Sequence, residues 1–218
     1  MLYQYPKQAH FGRILPKNKL YENAKLTAAI KRKFIEQIDK IVWEYKLSPE
    51  TINLAAKKGV PEIQIFTIFL REAEIKEEVL RTIDNAIPFP IIYELVFETR
   101  AKTKAAFKRP SDAESGKWVT ESYFESDWLK LDSERTELPT ALDLGVLYEK
   151  IIGGLMSLPK KDGEDLRAQA ERLTLIRHKE KEAEKLDAKI RKEKQFNRKV
   201  ELNAELRKLK NEISQYRT

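Results

Sequence analysis

Glu94 and Lys108 are the residues of this sequence that come closest to a catalytic pair. Glu94 interrupts the apolar segment 91–98 (IIYELVFE), whose alternation predicts a strand with two mostly apolar faces. A turn around Arg100 would return the chain as a second strand, 103–108, and would place Lys108 nearly opposite Glu94. Metal-dependent nucleases use such residues, because carboxylates hold a divalent cation while a lysine positions the water or the phosphate.

A nuclease site needs a second acid, and the returning segment KTKAAFKR contains none. Glu62 and Glu98 are the acids that the fold could bring close. The alternative interpretation, which we favour, is an ion pair that neutralises Glu94 within an apolar strand. We therefore assign no catalytic residue, and Glu94 with Lys108 remains the alternative.

Other catalytic chemistries lack the residues they need. The chain has two histidines, His10 and His178, no cysteine and seven glycines. No glycine pattern typical of a nucleophile elbow or a phosphate-binding loop is present. The sequence thus indicates a protein without a metal site or cofactor, and it favours a binding protein over an enzyme.

Net charge is concentrated in the last part of the chain. Residues 160–218 hold 18 Lys and Arg against 12 Asp and Glu, so they carry +6 of the total net charge of +7. Within this part, the segment 185–199 is the most basic and has Phe196 near its end. Such a segment is typical of a surface that contacts nucleic-acid phosphates, although it also fits the solvated face of a coiled coil. The candidate phosphate-binding residues are Lys189, Arg191, Lys192, Lys194, Arg198 and Lys199.

A second candidate surface lies near the amino terminus. Arg13, Lys17 and Lys19 alternate with the aromatic residues Phe11 and Tyr21, a composition that can bind phosphate and stack on bases. The alternative is an extended segment that its aromatic side chains attach to the domain.

Hydrophobic periodicity predicts a globular α+β or α/β domain at residues 1–159, with a mixed sheet of about four to five strands and flanking helices. The predicted helices are 23–45, 74–87 and 142–156, and the predicted strands are 51–54, 62–70, 91–98, 103–108 and 118–131. No segment is apolar over the ~20 residues that span a bilayer, and the amino terminus lacks the pattern of a signal peptide. We therefore expect a cytoplasmic protein.

Residues 160–218 are predicted to form a basic helical coiled-coil arm. Its apolar residues repeat at spacings of four and three, which is the pattern of a coiled-coil seam. Upstream, Ala183, Leu186 and Ile190 repeat in a different phase, so the arm is either one helix with a phase shift or a hairpin that folds near 195–197. An exposed seam would bind a protein partner, either another protein or a second copy, through Leu202, Leu206, Leu209 and Ile213.

Several stretches together resemble one bacterial family. They are HFGRILPKNKLYENA, KIVWEYKLSPETINL, VPEIQIF, IPFPIIYEL, AAFKRPS and KQFNRKVELNAELRKLK. The chain is similar to a domain-of-unknown-function family, number 4391, over nearly its full length. That resemblance implies association with DNA methyltransferases and helicases in restriction-modification-like or phage-defence operons, and it assigns no functional residue.

The sequence thus predicts a non-enzymatic accessory subunit that docks on a helicase or methyltransferase and binds DNA through its basic arm. Two alternatives remain open at this point. One is a metal-dependent nuclease that uses Glu94 and Lys108, and the other is a coiled-coil homodimer that does not bind DNA.

Overall fold

The computed structural model describes residues 1–18, 26–111, 113–114 and 118–217. Contacts divide the chain into two compact units, Met1–Leu155 and Met156–Thr218. The first unit is a mixed α+β structure built on a seven-stranded sheet, and the second is helical.

The sheet of the first unit has one parallel strand pair. Its strands are β2 (His10–Ile14), β3 (Ile38–Leu47), β4 (Ile63–Leu70), β5 (Ile91–Phe97), β6 (Arg100–Pro110), β7 (Trp118–Glu125) and the short β8 (Leu129–Lys130). Strands β2 to β7 lie side by side in chain order, and β8 pairs with β6. Only β4 and β5 run parallel. A parallel pair needs a crossover connection, and the helix between β4 and β5 provides it. A separate parallel pair joins β1 (Tyr3–Gln4) to β9 (Thr136–Glu137).

Helices pack on this sheet through apolar side chains. Helix α1 (Ala28–Gln37) and the crossover helix α3 (Glu77–Ala86) contribute Phe34, Val79 and Ile83 to a core that also contains Phe66 and Leu95 of the sheet. Helix α4 (Leu144–Leu155) adjoins β6, where Tyr148 donates to the carbonyl oxygen of Ala106 at 2.7 Å. Alternate residues of β4 and β5 belong to this core, and the residues between them are buried as well, so both faces of these two strands are covered.

The predicted helix 23–45 is confirmed over Ala28–Gln37, and its second part is a strand. Residues 19–25 lie outside the described residues, helix α1 ends at Gln37, and Ile38–Leu47 is strand β3. The apolar spacing in this segment fits a helix, but its β-branched and aromatic residues also fit a strand. Pairing with β2 on one side and β4 on the other decides in favour of the strand. These strands raise the sheet above the predicted four to five.

Residues 51–54 do not form the predicted strand either. Pro49–Ile52 is a short helix, α2, and Ser48 and Thr51 form a capping box at its start. Proline is favourable in the first turn of a helix because its missing N–H has no partner there. The predicted hairpin of β5 and β6 is confirmed, and the predicted segment 118–131 contains β7 and β8 with a break between them.

The second unit is a helical hairpin. Helix α5 (Leu166–Lys192) and helix α6 (Phe196–Arg217) pack together. Two ion pairs join them, Lys179–Glu212 at 2.6 Å and Arg217–Glu180, and these pairs show that the helices run antiparallel. A long coiled-coil arm is therefore not confirmed, and of the two alternatives for residues 160–218 the hairpin is the one observed. The change of phase between the two apolar repeats marks the turn at residues 193–195.

Candidate functional site

Glu94 and Lys108 are not brought together. Glu94 lies opposite Thr103 in the β5–β6 pair, and its carboxylate accepts two hydrogen bonds from the guanidinium of Arg135, at 2.7 and 2.8 Å. The neighbouring residue Tyr93 faces the other side of the sheet, because side chains alternate along a strand, and that side holds Lys108. The predicted juxtaposition is wrong, and the hairpin register is the reason. The ion pair expected for Glu94 is present, with Arg135 as its partner.

Lys108 instead belongs to a buried polar cluster. Its ammonium donates to the main-chain carbonyl oxygens of Asp84 and Ile87 at the end of helix α3 and lies 3.8 Å from the Asp84 carboxylate. That carboxylate also accepts hydrogen bonds from the hydroxyls of Tyr93, at 3.0 Å, and Tyr123. The last carbonyls of a helix have no partner within it, so Lys108 satisfies groups that would otherwise be buried alone.

Burial shifts the ionisation of this cluster. Loss of solvation raises the pKa of Asp84 to about 6, although Lys108 and the two tyrosine hydroxyls act against this rise. Burial also lowers the pKa of Lys108 to about 8, which the nearby Asp84 partly counteracts. Perturbed pairs of this kind occur at active sites and in structural networks alike. Here both side chains are at most 1% exposed, so the cluster offers no surface to a substrate.

The described residues do not group their potential metal ligands. Nowhere in ranges 1–18, 26–111, 113–114 and 118–217 do three or more His, Cys, Asp or Glu side chains approach in a way that could hold a metal ion. His10 lies 3.3 Å from Glu44, and His178 is exposed on helix α5 beside Glu182.

The amino-terminal candidates take part in packing. The guanidinium of Arg13 lies 4.5 Å from the centre of the Phe11 ring, and that ring contacts Trp43. Lys17 donates to the carbonyl oxygen of Ile38 at 2.5 Å. Lys19 lies outside the described residues. The contact of Phe11 with Trp43 attaches this segment to strand β3. This agrees with the alternative interpretation, an extended segment that its aromatic side chains attach to the domain.

The predicted seam is covered within the chain. Leu202 and Leu206 are buried against Ala183 and Ile190 of helix α5, and they form one apolar cluster. Three further residues, partly buried, pack against it: Leu186, Leu209 and Ile213. A partner was expected on this seam because a single long helix would leave it exposed. In the hairpin, the upstream repeat of Ala183, Leu186 and Ile190 covers it.

The basic candidates surround the turn of the hairpin. We define the hairpin tip as residues 189–200, which contain six Lys and Arg and one acid, Glu193. All six basic side chains of the tip are exposed. Arg191 pairs with Asp187 at 2.6 Å and Arg198 with Glu201 at 2.7 Å, each within its own helix. The four lysines of the tip, Lys189, Lys192, Lys194 and Lys199, form no ion pair with any carboxylate of the described residues.

The turn itself is short and hydrogen-bonded. The side chain of Glu193 accepts from the main-chain N–H groups of Lys194 and Gln195, each at 2.8 Å. The N–H of Glu193 donates to the carbonyl oxygen of Lys189 at 3.0 Å. Helix α6 then begins at Phe196, whose side chain is 78% exposed.

Asp84 and Tyr123 are members of the buried cluster that the sequence analysis missed. A signal for Asp84 exists, since it follows Leu80 by four positions and so lies on the apolar stripe of helix α3. A carboxylate on such a stripe needs a buried partner. The sequence does not identify that partner, because Lys108 is 24 residues away.

Comparison with known proteins identifies a family and no further relative. The family model described as "Domain of unknown function (DUF4391)" matches residues 4–213. No curated protein and no solved structure matches the chain. Among the residues that the structure describes, no helix combines the length and apolar character needed to cross a membrane.

Proposed function

The chain belongs to the DUF4391 family of domains of unknown function, and we propose that it is a non-enzymatic accessory subunit that holds nucleic acid at its hairpin tip. The observation that carries this proposal is the set of four exposed tip lysines, which pair with no carboxylate among the residues that the structure describes. Polyanion binding by such lysines releases counterions and needs no particular base sequence.

The charge pattern of the hairpin favours the tip, rather than the whole arm, as the surface that binds nucleic acid. Away from the turn, cations bridge the two helices, as in the pairs Lys179–Glu212 and Arg217–Glu180. Arg172 pairs with Glu164 at 2.7 Å and donates to the carbonyl oxygen of Tyr216. These cations stabilise the hairpin, whereas the four tip lysines bridge to no carboxylate in the part of the chain that the structure describes and are available to a ligand.

The wider setting of this proposal comes from the family resemblance. We propose that the protein acts in the bacterial cytoplasm beside a helicase or methyltransferase of a DNA-modification or phage-defence system. The hairpin seam is already occupied, so the docking surface for that enzyme lies elsewhere on the chain. Co-purification of the tagged protein with the products of neighbouring genes tests this part separately.

Charge reversal at the tip tests nucleic-acid binding. The variant carries Lys192→Glu, Lys194→Glu and Lys199→Glu, and fluorescence anisotropy measures binding of the full chain to labelled DNA over a range of salt concentrations. We expect affinity at low salt to fall at least about tenfold, and the slope of log affinity against log salt to fall by about one unit per lost phosphate contact.

A matched control makes the same change in net charge at positions outside the tip. It carries Lys181→Glu, Lys208→Glu and Lys210→Glu, which are all exposed on the hairpin. We expect this control to keep most of the wild-type affinity. Equal loss in both variants would reduce the proposal to a nonspecific charge effect, and unchanged binding by the tip variant would reject it.

Neither alternative function gains support from a specific contact. The nuclease alternative required Glu94 and Lys108 at one site, and they lie on opposite faces of the sheet with other partners. The homodimer alternative required an exposed seam, and the seam is packed within one chain.

A further inference from the structure

Phe196 is an exposed aromatic residue at the centre of the basic hairpin tip. Its side chain is 78% exposed, and Val200, one helical turn later, is 52% exposed. Residues four positions apart lie on the same face of a helix. The tip therefore presents an apolar strip among its cations, and this strip is separate from the buried seam.

The position of Phe196 does not serve the packing of the hairpin. The buried seam of helix α6 uses Leu202 and Leu206. Continued toward the turn with the same spacing, that seam passes through Arg198 or Lys199 and then Gln195, rather than through Phe196 or Val200. Single exposed apolar residues are common on protein surfaces, so the residues around Phe196 decide whether its exposure indicates a ligand.

The surroundings of Phe196 favour a polyanion that also has flat apolar faces. Lys194, Arg198 and Lys199 are close neighbours in the chain, and all are exposed. Nucleic acids with unpaired bases combine phosphates with accessible base faces, and proteins that bind single strands use cations together with aromatic stacking platforms. In a duplex the base faces are covered by their neighbours, so a ring on the protein surface gains little from them.

We infer that the hairpin tip binds nucleic acid at unpaired bases, with Phe196 stacked on a base and the tip lysines on the flanking phosphates. This inference rests on the proposed function and specifies its substrate as single strands, overhangs and forks. The lysines act on all nucleic acids, whereas Phe196 provides the preference for unpaired bases.

The test separates these two contributions by substitution and by substrate. Full-length wild type, Phe196→Ala, Phe196→Trp and the control Val200→Ala are compared by anisotropy on labelled oligo-dT, a blunt duplex and a forked duplex. We expect Phe196→Ala to weaken binding to oligo-dT and the fork about tenfold, which is the range for loss of one stacked base. Binding to the blunt duplex should change less than about twofold, since no base face is accessible there.

Phe196→Trp provides a direct readout of stacking. An indole ring also stacks on bases, so this variant should keep the affinity for oligo-dT, and its additional fluorescence should be quenched on binding. Wild type, which has three tryptophans elsewhere, provides the background signal. Val200→Ala should resemble wild type on all three DNA substrates.

Several results would overturn the inference. Phe196→Ala that binds oligo-dT like wild type would remove the stacking role. Equal weakening on duplex and single strand would also do so. If tip charge reversal abolishes binding while Phe196→Ala has no effect, the proposed function survives and this inference fails.

A basic and apolar surface could also insert into an anionic membrane. Binding of phosphatidylserine vesicles that needs Phe196, without an effect of Phe196→Ala on oligo-dT, would therefore replace the nucleic acid by a lipid surface.

Discussion

The ammonium group of Lys108 donates to the carbonyl oxygen of Ile87, so a lysine of strand β6 caps the end of helix α3. The same ammonium group donates to the carbonyl oxygen of Asp84 and lies near its carboxylate. One side chain thereby fixes a helix end, neutralises a buried acid and joins the helix to strand β6 of the sheet. The first two predictions follow from this arrangement.

Lys108→Met should strongly destabilise the first unit. The substitution leaves the Asp84 carboxylate and two helix carbonyls buried without their cation, and breaking a buried pair from one side costs about 3 kcal/mol or more. Urea denaturation followed by circular dichroism measures the free energy of unfolding. The exposed Lys130, replaced by Met in the same way, should change that free energy by less than about 0.5 kcal/mol. Similar values for the two variants would contradict the role of Lys108.

The pH dependence of stability should carry the signature of Asp84. Its pKa is about 6 in the folded protein against an ordinary value of 3.8. The folded state therefore binds this proton more tightly, and the contribution of Asp84 to the free energy of unfolding falls as pH rises from about 4 to about 6. The contribution amounts to about 3 kcal/mol at most, from a shift of about two pKa units.

Asp84→Asn should remove this contribution while keeping an acceptor for the tyrosine hydroxyls. The difference in unfolding free energy, variant minus wild type, should increase between about pH 4 and about pH 6. Other carboxylates titrate in both proteins and cancel in this difference. A difference that stays constant over this range would contradict the raised pKa of Asp84.

Arg135→Ala should destabilise the opposite face of the sheet. Arg135 binds Glu94 through two hydrogen bonds and also donates to the carbonyl oxygen of Tyr3 at 3.0 Å. Because the Arg135 side chain is 34% exposed, we expect a loss of about 2 kcal/mol, below the value for a fully buried pair. Arg135→Lys should recover part of the loss, since it keeps the charge and loses the bidentate geometry. Thermal unfolding of the three proteins gives the order, and an alanine variant as stable as wild type would show that the pair contributes nothing.

Leu206→Ala should destabilise the helical hairpin without changing the oligomeric state of the protein. Leu206 is 7% exposed and packs in the apolar cluster of the two helices. Truncating a buried leucine costs about 2–5 kcal/mol, so amide hydrogen exchange in α5 and α6 should accelerate. Light scattering checks that the molar mass of the protein in solution is unchanged. Conversion of an oligomer into monomers by this substitution would show that the seam joins different chains.

The parts of the fold that sequence analysis predicts are those determined by local pattern. The strand 62–70, the hairpin of β5 and β6 and the closing helix near 142–156 all have one strong periodicity and clear turn residues beside them. Segment 38–47 has two compatible periodicities, because isoleucine, valine and tryptophan fit an apolar helix face and a strand equally well. Its neighbours in the sheet decide, and a local pattern does not contain them.

The candidate sites show the same limit at the level of side chains. The basic tip was predictable because charge density is a property of contiguous residues. Glu94 was recognisable as an acid that needs a partner, but Arg135 is 41 residues away, and only the register of the sheet brings the two together. The assignment of Lys108 to Glu94 failed because the hairpin register pairs Glu94 with Thr103, and Lys108 lies an odd number of residues beyond Thr103, on the other face of the sheet.

The three residues that connect the helices have a consequence for the thermodynamics of binding. Glu193 holds the amides of Lys194 and Gln195, and both helices begin or end within a residue of this contact. The backbone beneath the tip cations is thus already ordered before a ligand arrives, so association loses mainly side-chain freedom, of about 0.5–1.5 kcal/mol for each immobilised side chain. A flexible basic tail would in addition pay for ordering its backbone. We therefore expect the heat capacity change of binding to be small, without the large negative value of a segment that folds on its target.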